Sequence, residues 1–167
     1  MFLLSLCWYC IFQALVLLIA ANGAPVVASK AFGNRLLRPI DFGLIPSDGH
    51  RLFGCSKTWR GLFSAILVAT ATAVLFELEP LTGLLFGTLT IAGDLLTSFI
   101  KRRLGYVESS RARGLDTTPE TLLPLWILKE QLSLNYIEIA LVVGLFFLCE
   151  EFFSPILYRL HIRDQPY

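Results

Sequence analysis

The chain has 167 residues, of which 55% are hydrophobic and 16% charged, and its formal net charge is +1. A soluble domain carries about a quarter of its residues as charges, so an ordinary soluble domain is excluded, and nothing in the balance calls for a nucleic-acid partner. A mean hydropathy of +0.66 points instead to an all-α polytopic membrane protein folded as one domain over residues 1–167.

Crossing a bilayer core of about 30 Å takes about 20 helical residues. In chain order the candidate spans are residues 2–24, 62–77, 81–100, 122–134 with flanking turns, and 137–158. The first and third are the clearest, and alanine and threonine dilute the second without charging it. The fourth is the weakest, because its core LLPLWIL runs into Lys129-Glu130-Gln131. It is short, tilted or interfacial, or it starts near Leu115 and takes in Asp116 and Glu120.

The basic residues order these spans. Lys30, Arg35, Arg38, Arg51, Lys57 and Arg60 fall between the first and second, and Lys101, Arg102, Arg103, Arg111 and Arg113 between the third and fourth. Arg159 and Arg163 follow the fifth, and only Lys129 lies elsewhere. About five alternating spans put all but Lys129 on one face, which the positive-inside rule makes cytoplasmic, with the N-terminus outside. Four spans would split them. The first span lacks a basic leading region and has a poor cleavage site in Ala21-Asn22-Gly23-Ala24, so it reads as a retained helix. Cys7 and Cys10, beside Trp8 and Tyr9, read as small packing residues. Cys55, Cys149, His50 and His161 have no partners at ligand spacing and read as non-catalytic.

Asp94 interrupts the apolar third span, which ends in Lys101-Arg102-Arg103. A carboxylate at membrane depth costs about 2.5–3.5 kcal/mol on insertion scales, so it faces a protein interior or a wet cavity and marks a site. On a helix, Asp94, Ser98 and Lys101 share one stripe. A metal-binding acid, a hydroxyl and a phosphate-binding cation would then line one face. The bland alternative is an interhelical hydrogen bond.

Both basic loops carry phosphate chemistry. The first is dense in turn formers and ends in Gly54-Cys-Ser-Lys57-Thr58-Trp59-Arg60-Gly61. Gly54 permits close backbone approach to an anion, Lys57 offers a point charge, Arg60 a planar fork, and Trp59 an interfacial anchor. It is not a Walker A loop, since Cys55 and Ser56 separate Gly54 from Lys57; a loop touching anionic headgroups is the plainer alternative. The second loop leads to Asp116 at a helix start, where an N-cap is the simpler expectation and a second metal-ligating carboxylate the functional one.

The strings PIDFG, RLFGxxKTWRG and GDLLTSFIKRRLG, in this order and membrane setting, resemble the CDP-archaeol synthase family, small integral-membrane relatives of the CDP-diacylglycerol synthases. The resemblance is good over roughly residues 15–116 and looser beyond. It implies an integral protein of a prokaryotic inner (plasma) membrane with a cytoplasmic active site. It further implies cytidylyl transfer from CTP to a lipid phosphate, giving a CDP-activated lipid and pyrophosphate with Mg2+. On matching positions it assigns catalysis to Asp94, Lys101 and Lys57, and substrate binding to Gly54, Thr58, Trp59, Arg60, Ser98, Arg102 and Arg103. It assigns the metal to Asp94 and Asp116; Asp41, Gly61 and Gly93 also match.

The chain departs from the family where a Leu-Asp-Gln-Leu-Asp run is expected. Thr117 replaces the glutamine and Pro119 the second aspartate, and Glu120 comes one residue late, about 100° around a helix. Glu150-Glu151 stand where the last span usually offers histidine and asparagine. These departures motivate one alternative, a catalytically inactive lipid- or nucleotide-binding protein of the same fold. A transporter using Asp94 as a coupling carboxylate is the other, and the glycine-bounded basic loop argues against it.

Overall fold

A computed structural model describes residues 6–33, 35–108, 110, 112 and 114–159. Expectations for residues 2–5, Arg111, Arg113, the Arg159 side chain, His161 and Arg163 fall outside the described residues. Five helices follow in order: α1 (Trp8–Phe32), α2 (Trp59–Leu75), α3 (Pro80–Arg103), α4 (Thr117–Ile127) and α5 (Tyr136–Arg159). Of these, α1 and α3 are long and apolar enough to cross a membrane, and α2 is a shorter apolar helix.

One helix departs from the sequence expectation and another settles between its alternatives, each for an identifiable reason. Helix α1 runs through Gly23 and Pro25 to Phe32 rather than ending at residue 24. A proline removes one helical N–H, and membrane helices tolerate it where neighbours fill the gap. Here the Pro25 ring lies against Gly61, where a Cβ would come within 3.4 Å of it. Helix α4 has 11 residues, which at about 1.5 Å each covers about half a bilayer core. Pro124 sits inside it, and the charges at Lys129 and Glu130 follow at once. The helix therefore takes the earlier start, including Glu120, and residues 128–134 continue as hydrogen-bonded turns with Leu128, Leu132 and Leu134 buried.

Packing follows a closed ring. Each helix touches its chain neighbours, α5 returns to α1, and α1 also meets α3. Small residues set the α2–α3 approach: a Cβ on Gly83 would lie 2.6 Å from the Thr70 Cα, and one on Gly87 2.8 Å from the Ile66 Cα. The Gly83-x-x-x-Gly87 pair thus works inside the chain, as small-xxx-small pairs do in membranes. Alanines such as Ala14, Ala21, Ala65, Ala69 and Ala73 are buried, while Trp8, Phe63, Leu67, Leu75 and Phe152 are exposed. An outward apolar coat over a small-residue interior suits lipid, not water.

The two ends of the ring differ chemically. At one end Gln13 Nε2 donates to the Phe76 carbonyl at 3.3 Å. Glu138 there accepts from the N–H groups of Cys7 at 2.7 Å and Asn135 at 2.8 Å. Cys7 and Cys10 at this end form a disulfide rather than packing as separate thiols; the pair sits on the first turn of α1, where Cys7 is also the N-cap. The other end gathers both basic loops.

Candidate active site

The first basic loop is built around a buried carboxylate. Asp41 accepts from the N–H groups of Gly43 at 3.0 Å and of Phe53 and Gly54 at 3.2 Å each. Burial pushes its carboxyl up, but those three N–H groups and the Arg51 charge outweigh burial and hold it below its ordinary range. Gly54 has φ +105°, a backbone state that favours glycine. A single bridge then pairs Pro39 with Thr58, with Ile40 N–H donating to the Lys57 carbonyl at 2.8 Å and Trp59 N–H to that of Arg38 at 3.1 Å. The turn formers make a folded platform that hands Lys57 to α3.

There Lys57 Nζ meets both Asp94 oxygens at 2.7 Å. Both side chains keep about a quarter of their surface open, 25% and 26%. Burial draws the Lys57 ammonium down, yet the Asp94 charge and hydrogen bond, with the charges of Glu120 and Asp116, more than offset it and raise it above its ordinary value. Gly93, just before Asp94, lets α4 lie flush on α3: a Cβ there would fall 2.4 Å from the Pro119 carbonyl oxygen and 2.6 Å from the Glu120 Cα. That contact brings the buried Glu120 within electrostatic reach of Asp94, Lys57, Asp116 and Glu150. Glu150 in turn accepts from the Thr117 hydroxyl at 2.6 Å.

A second ion pair lies further along the predicted stripe. Lys101 Nζ meets Asp116 Oδ1 at 2.8 Å and also donates to the Ser110 carbonyl. Asp116 Oδ2 accepts from Ala112 N–H at 2.7 Å, and Thr97 donates to the Leu115 carbonyl at 3.1 Å. The simple N-cap expectation for Asp116 is corrected: it precedes α4 with helical backbone angles and makes no side-chain cap bond. Its carboxylate turns back to Ala112 and Lys101 instead. Ser98 and Lys101 are both buried on the inward stripe with Asp94 beside them.

The remaining sequence-selected residues brace the platform. Thr58 caps α2 by accepting from Gly61 N–H at 3.2 Å. Arg60 Nη1 donates to the carbonyls of Gly33 at 2.7 Å and Arg35 at 2.8 Å, tying the end of α1. Trp59 packs between Phe42 and Phe63. Arg102 donates to the Val107 carbonyl at 3.0 Å. Arg103 pairs with Asp48 at 2.6 Å, donates to the His50 and Arg51 carbonyls and lies over the Phe99 ring.

Among the described residues, no three His, Cys, Asp or Glu side chains converge to hold a metal unaided. Magnesium does not require that, since it keeps several waters and shares its ligands with substrate phosphates. The donor set fits such an ion: Asp94 meets the ammonium of Lys57, and the buried Glu120 lies within electrostatic reach of both. Sequence reasoning missed Glu108, whose Oε2 accepts from Cys55 N–H at 3.2 Å across the two loops. No local pattern marks it, because the contact exists only once both loops have folded.

This chain matches the family model for CarS-like CDP-archaeol synthase over residues 3–81 and 76–167. It is 33% identical to the CDP-archaeol synthase of Sulfurisphaera tokodaii over 171 aligned positions, covering 96% of this chain and 98% of the relative. It is also 37% identical to that of Pyrococcus abyssi, over 58% of this chain and 60% of the relative. Among solved structures it resembles an intramembrane enzyme for archaeal membrane lipid biosynthesis, with a TM-score of 0.66 and 26% identity over 81% of this chain and 89% of that one. The matches span the helices and both loops that build the site, and the chain belongs to the CDP-archaeol synthase family.

Proposed function

We propose that this integral-membrane enzyme transfers the cytidylyl group of CTP to a membrane lipid phosphate at the basic end of its helix ring, as one domain over residues 1–167. The observation that carries the site is the Lys57–Asp94 pair, where an intramembrane acid meets a cation delivered by a glycine-shaped loop. The name shared by the relatives supports an archaeol-type lipid phosphate. Nothing in the comparisons supports the inactive alternative.

A lipid-phosphate oxygen attacks the α-phosphorus of CTP, and the bond from that phosphorus to the β-phosphate bridging oxygen breaks, releasing pyrophosphate. The nucleophile is already anionic, so the obstacle is repulsion between two phosphates rather than proton removal. Lys57, paired with Asp94, and Lys101, held by Asp116 on the same helix stripe, supply positive charge. Asp94 would hold a Mg2+ ion, with Glu120 supporting it, and Asp116 orients Lys101. Magnesium supplies charge neutralisation at the phosphate oxygens. Gly54, Thr58, Trp59 and Arg60 keep the loop that carries Lys57 in place, Arg103 ties the end of α3 to it, and Arg102 holds the start of the second loop, while Ser98 shares the stripe with Asp94. The exposed apolar coat admits the lipid tails sideways from the bilayer.

The charge distribution supports placing this end in the cytoplasm, with the N-terminus outside a prokaryotic plasma membrane. Residues 117–134 run from the basic end back to the Glu138 end, so the chain alternates ends five times despite the short α4. The Cys7–Cys10 disulfide at the opposite end and the free Cys55 in the basic loop agree with an oxidising outside and a reducing inside.

The test is CTP-dependent conversion of defined lipid phosphates by the purified protein in detergent, with labelled CTP and magnesium. CDP-lipid and pyrophosphate are expected in equal amounts. No product from any lipid phosphate, with the helices folded, would overturn the assignment.

A further inference from the structure

Glu108 lies in the second basic loop, outside every role assigned so far. Its carboxylate sits over the first loop at Gly54, where a Cβ would lie 3.4 Å from the Glu108 Cδ and where φ is +105°. The Cys55 N–H donates to Oε2 at 3.2 Å, and the Cys55 thiol faces the same carboxylate. Arg51 and Arg102 add positive charge on the same side. The Cys55 hydrogen bonds hold the Glu108 carboxyl below its ordinary range, against a smaller opposing push from burial.

A glycine-shaped turn and a backbone N–H, with the charges of Arg51 and Arg102 nearby, suit an anion, and this turn carries a carboxylate from the protein itself. It opens two residues before Lys57, whose ammonium reaches Asp94. A carboxylate matches one edge of a phosphate in oxygen spacing but carries fewer oxygens and less charge. Arg51 and Arg102 would therefore favour a phosphate over Glu108 once one arrives, provided the acid swings out. Glu108 is exposed, so nothing packed on it prevents that motion.

We propose that the Gly54–Cys55 turn is a phosphate subsite of the reaction and that Glu108 is its resident stand-in, displaced when a phosphoryl group enters. The inference rests on the cytidylyl-transfer reading for its biological meaning. The phosphate could come from CTP, from the lipid phosphate or from product pyrophosphate; the chemistry recognised is the same. A fixed acid here lowers affinity for every phosphate that uses the turn, and it keeps the two loops latched between turnovers.

The experiment compares the wild-type protein with Glu108→Gln and Glu108→Ala in detergent. Binding of CTP, a short-chain lipid phosphate and inorganic pyrophosphate is measured separately by calorimetry, with a melting curve for each variant. Removing the competing charge should tighten at least one of the three by roughly two- to fivefold, the effect of one exposed like charge. The ligand that tightens names the source. The glutamine variant should show the gain with its melting temperature kept. Unchanged or weaker binding of all three ligands would overturn the proposal and leave Glu108 a latch between loops. Absence of binding to all three in every protein would overturn it too. Wild-type protein that binds pyrophosphate more weakly than Glu108→Gln, yet makes no CDP-lipid, would uphold the subsite and remove the proposed reaction.

Discussion

Two ion pairs of nearly equal length sit on one helix face, and they are held very differently. Asp94 meets Lys57 at 2.7 Å, and both its oxygens point at that one ammonium, with no backbone donor behind them among the described residues. Asp116 meets Lys101 at 2.8 Å, but its second oxygen is fixed by the Ala112 N–H, and Lys101 is fixed by the Ser110 carbonyl. The first pair can exchange partners without unfolding anything, since a cation can replace Lys57 and a phosphate can replace Asp94. The second cannot, because breaking it frees a loop. Similar distances therefore describe a pair free to exchange partners and a pair tied to its loop, and the difference lies in what else each carboxylate holds.

The sharpest way to break this comparison is to neutralise each acid in turn. Asp94→Asn should cut kcat by about 10²–10³-fold or more, the scale of losing one electrostatic stabiliser of the transition state. Its melting temperature should move little. Asp116→Asn should do the reverse, costing about 1.5–3 kcal/mol of stability for the lost charged hydrogen bonds while keeping measurable turnover. CDP-lipid formation and a melting curve on the same two preparations decide the matter. Equal loss of activity in both would make the pairs equivalent.

Glu120 sharpens the same comparison from the side of Asp94. If it supports the Asp94 site, Glu120→Gln should raise the magnesium concentration needed for half-maximal rate by roughly tenfold, as loss of a supporting group near a metal ligand does. A magnesium titration at saturating CTP reads this directly. An unchanged magnesium requirement would leave Glu120 a packing residue under Pro119.

Much of this was legible in the chain. The apolar runs of α1, α3 and α5, and the position of Asp94 among neutral residues, follow from periodicity and the cost of a buried charge. Lys57 and Lys101 were visible as cations at the right ends of apolar runs. What was not legible depends on contacts between distant segments. The late Glu120 looked like a broken motif. It still reaches the site because Gly93 lets the Pro119 backbone lie where a side chain would otherwise stand. Arg60 looked like a phosphate fork, and its Nη1 holds the Gly33 and Arg35 carbonyls at the end of a helix that ran further than its glycine and proline suggested. The shortness of α4 was legible too, because its apolar core runs straight into Lys129 and Glu130.

Gly93 offers the next test. Alanine there would place a methyl 2.4 Å from the Pro119 carbonyl oxygen, so α4 must move away from Asp94. Overpacking of this kind costs about 1–3 kcal/mol and should also raise the magnesium concentration needed for half-maximal rate. Gly144, in α5, has nothing within 4 Å of an added Cβ. The same substitution there should be neutral or add up to about 1 kcal/mol by lowering unfolded-state entropy. Matched melting curves for the two variants separate a local clash from a general intolerance of helix glycines.

The smallest effect expected is the pH response of the loop that carries Lys57. Asp41 is held below its ordinary value of 3.8 by three N–H groups and Arg51 despite burial. A group with a lowered folded pKa gives its full stabilisation above the unfolded value and loses it as pH falls through the folded one. Protein stability should therefore be flat from neutrality down to about pH 5 with respect to this group and decline below the ordinary carboxylate range. In Asp41→Asn that part of the decline should vanish, with a lower plateau at neutral pH, since an amide oxygen accepts these N–H groups more weakly than a carboxylate. The difference should appear in the order of the loop, read by fluorescence of Trp59, which packs on Phe42 one residue past Asp41. An acid transition in Trp59 emission identical in the two proteins would mean that Asp41 does not hold the platform. Lys57 would then owe its position to Asp94 alone, and the ready exchange of partners inferred for that pair would lose its anchored side.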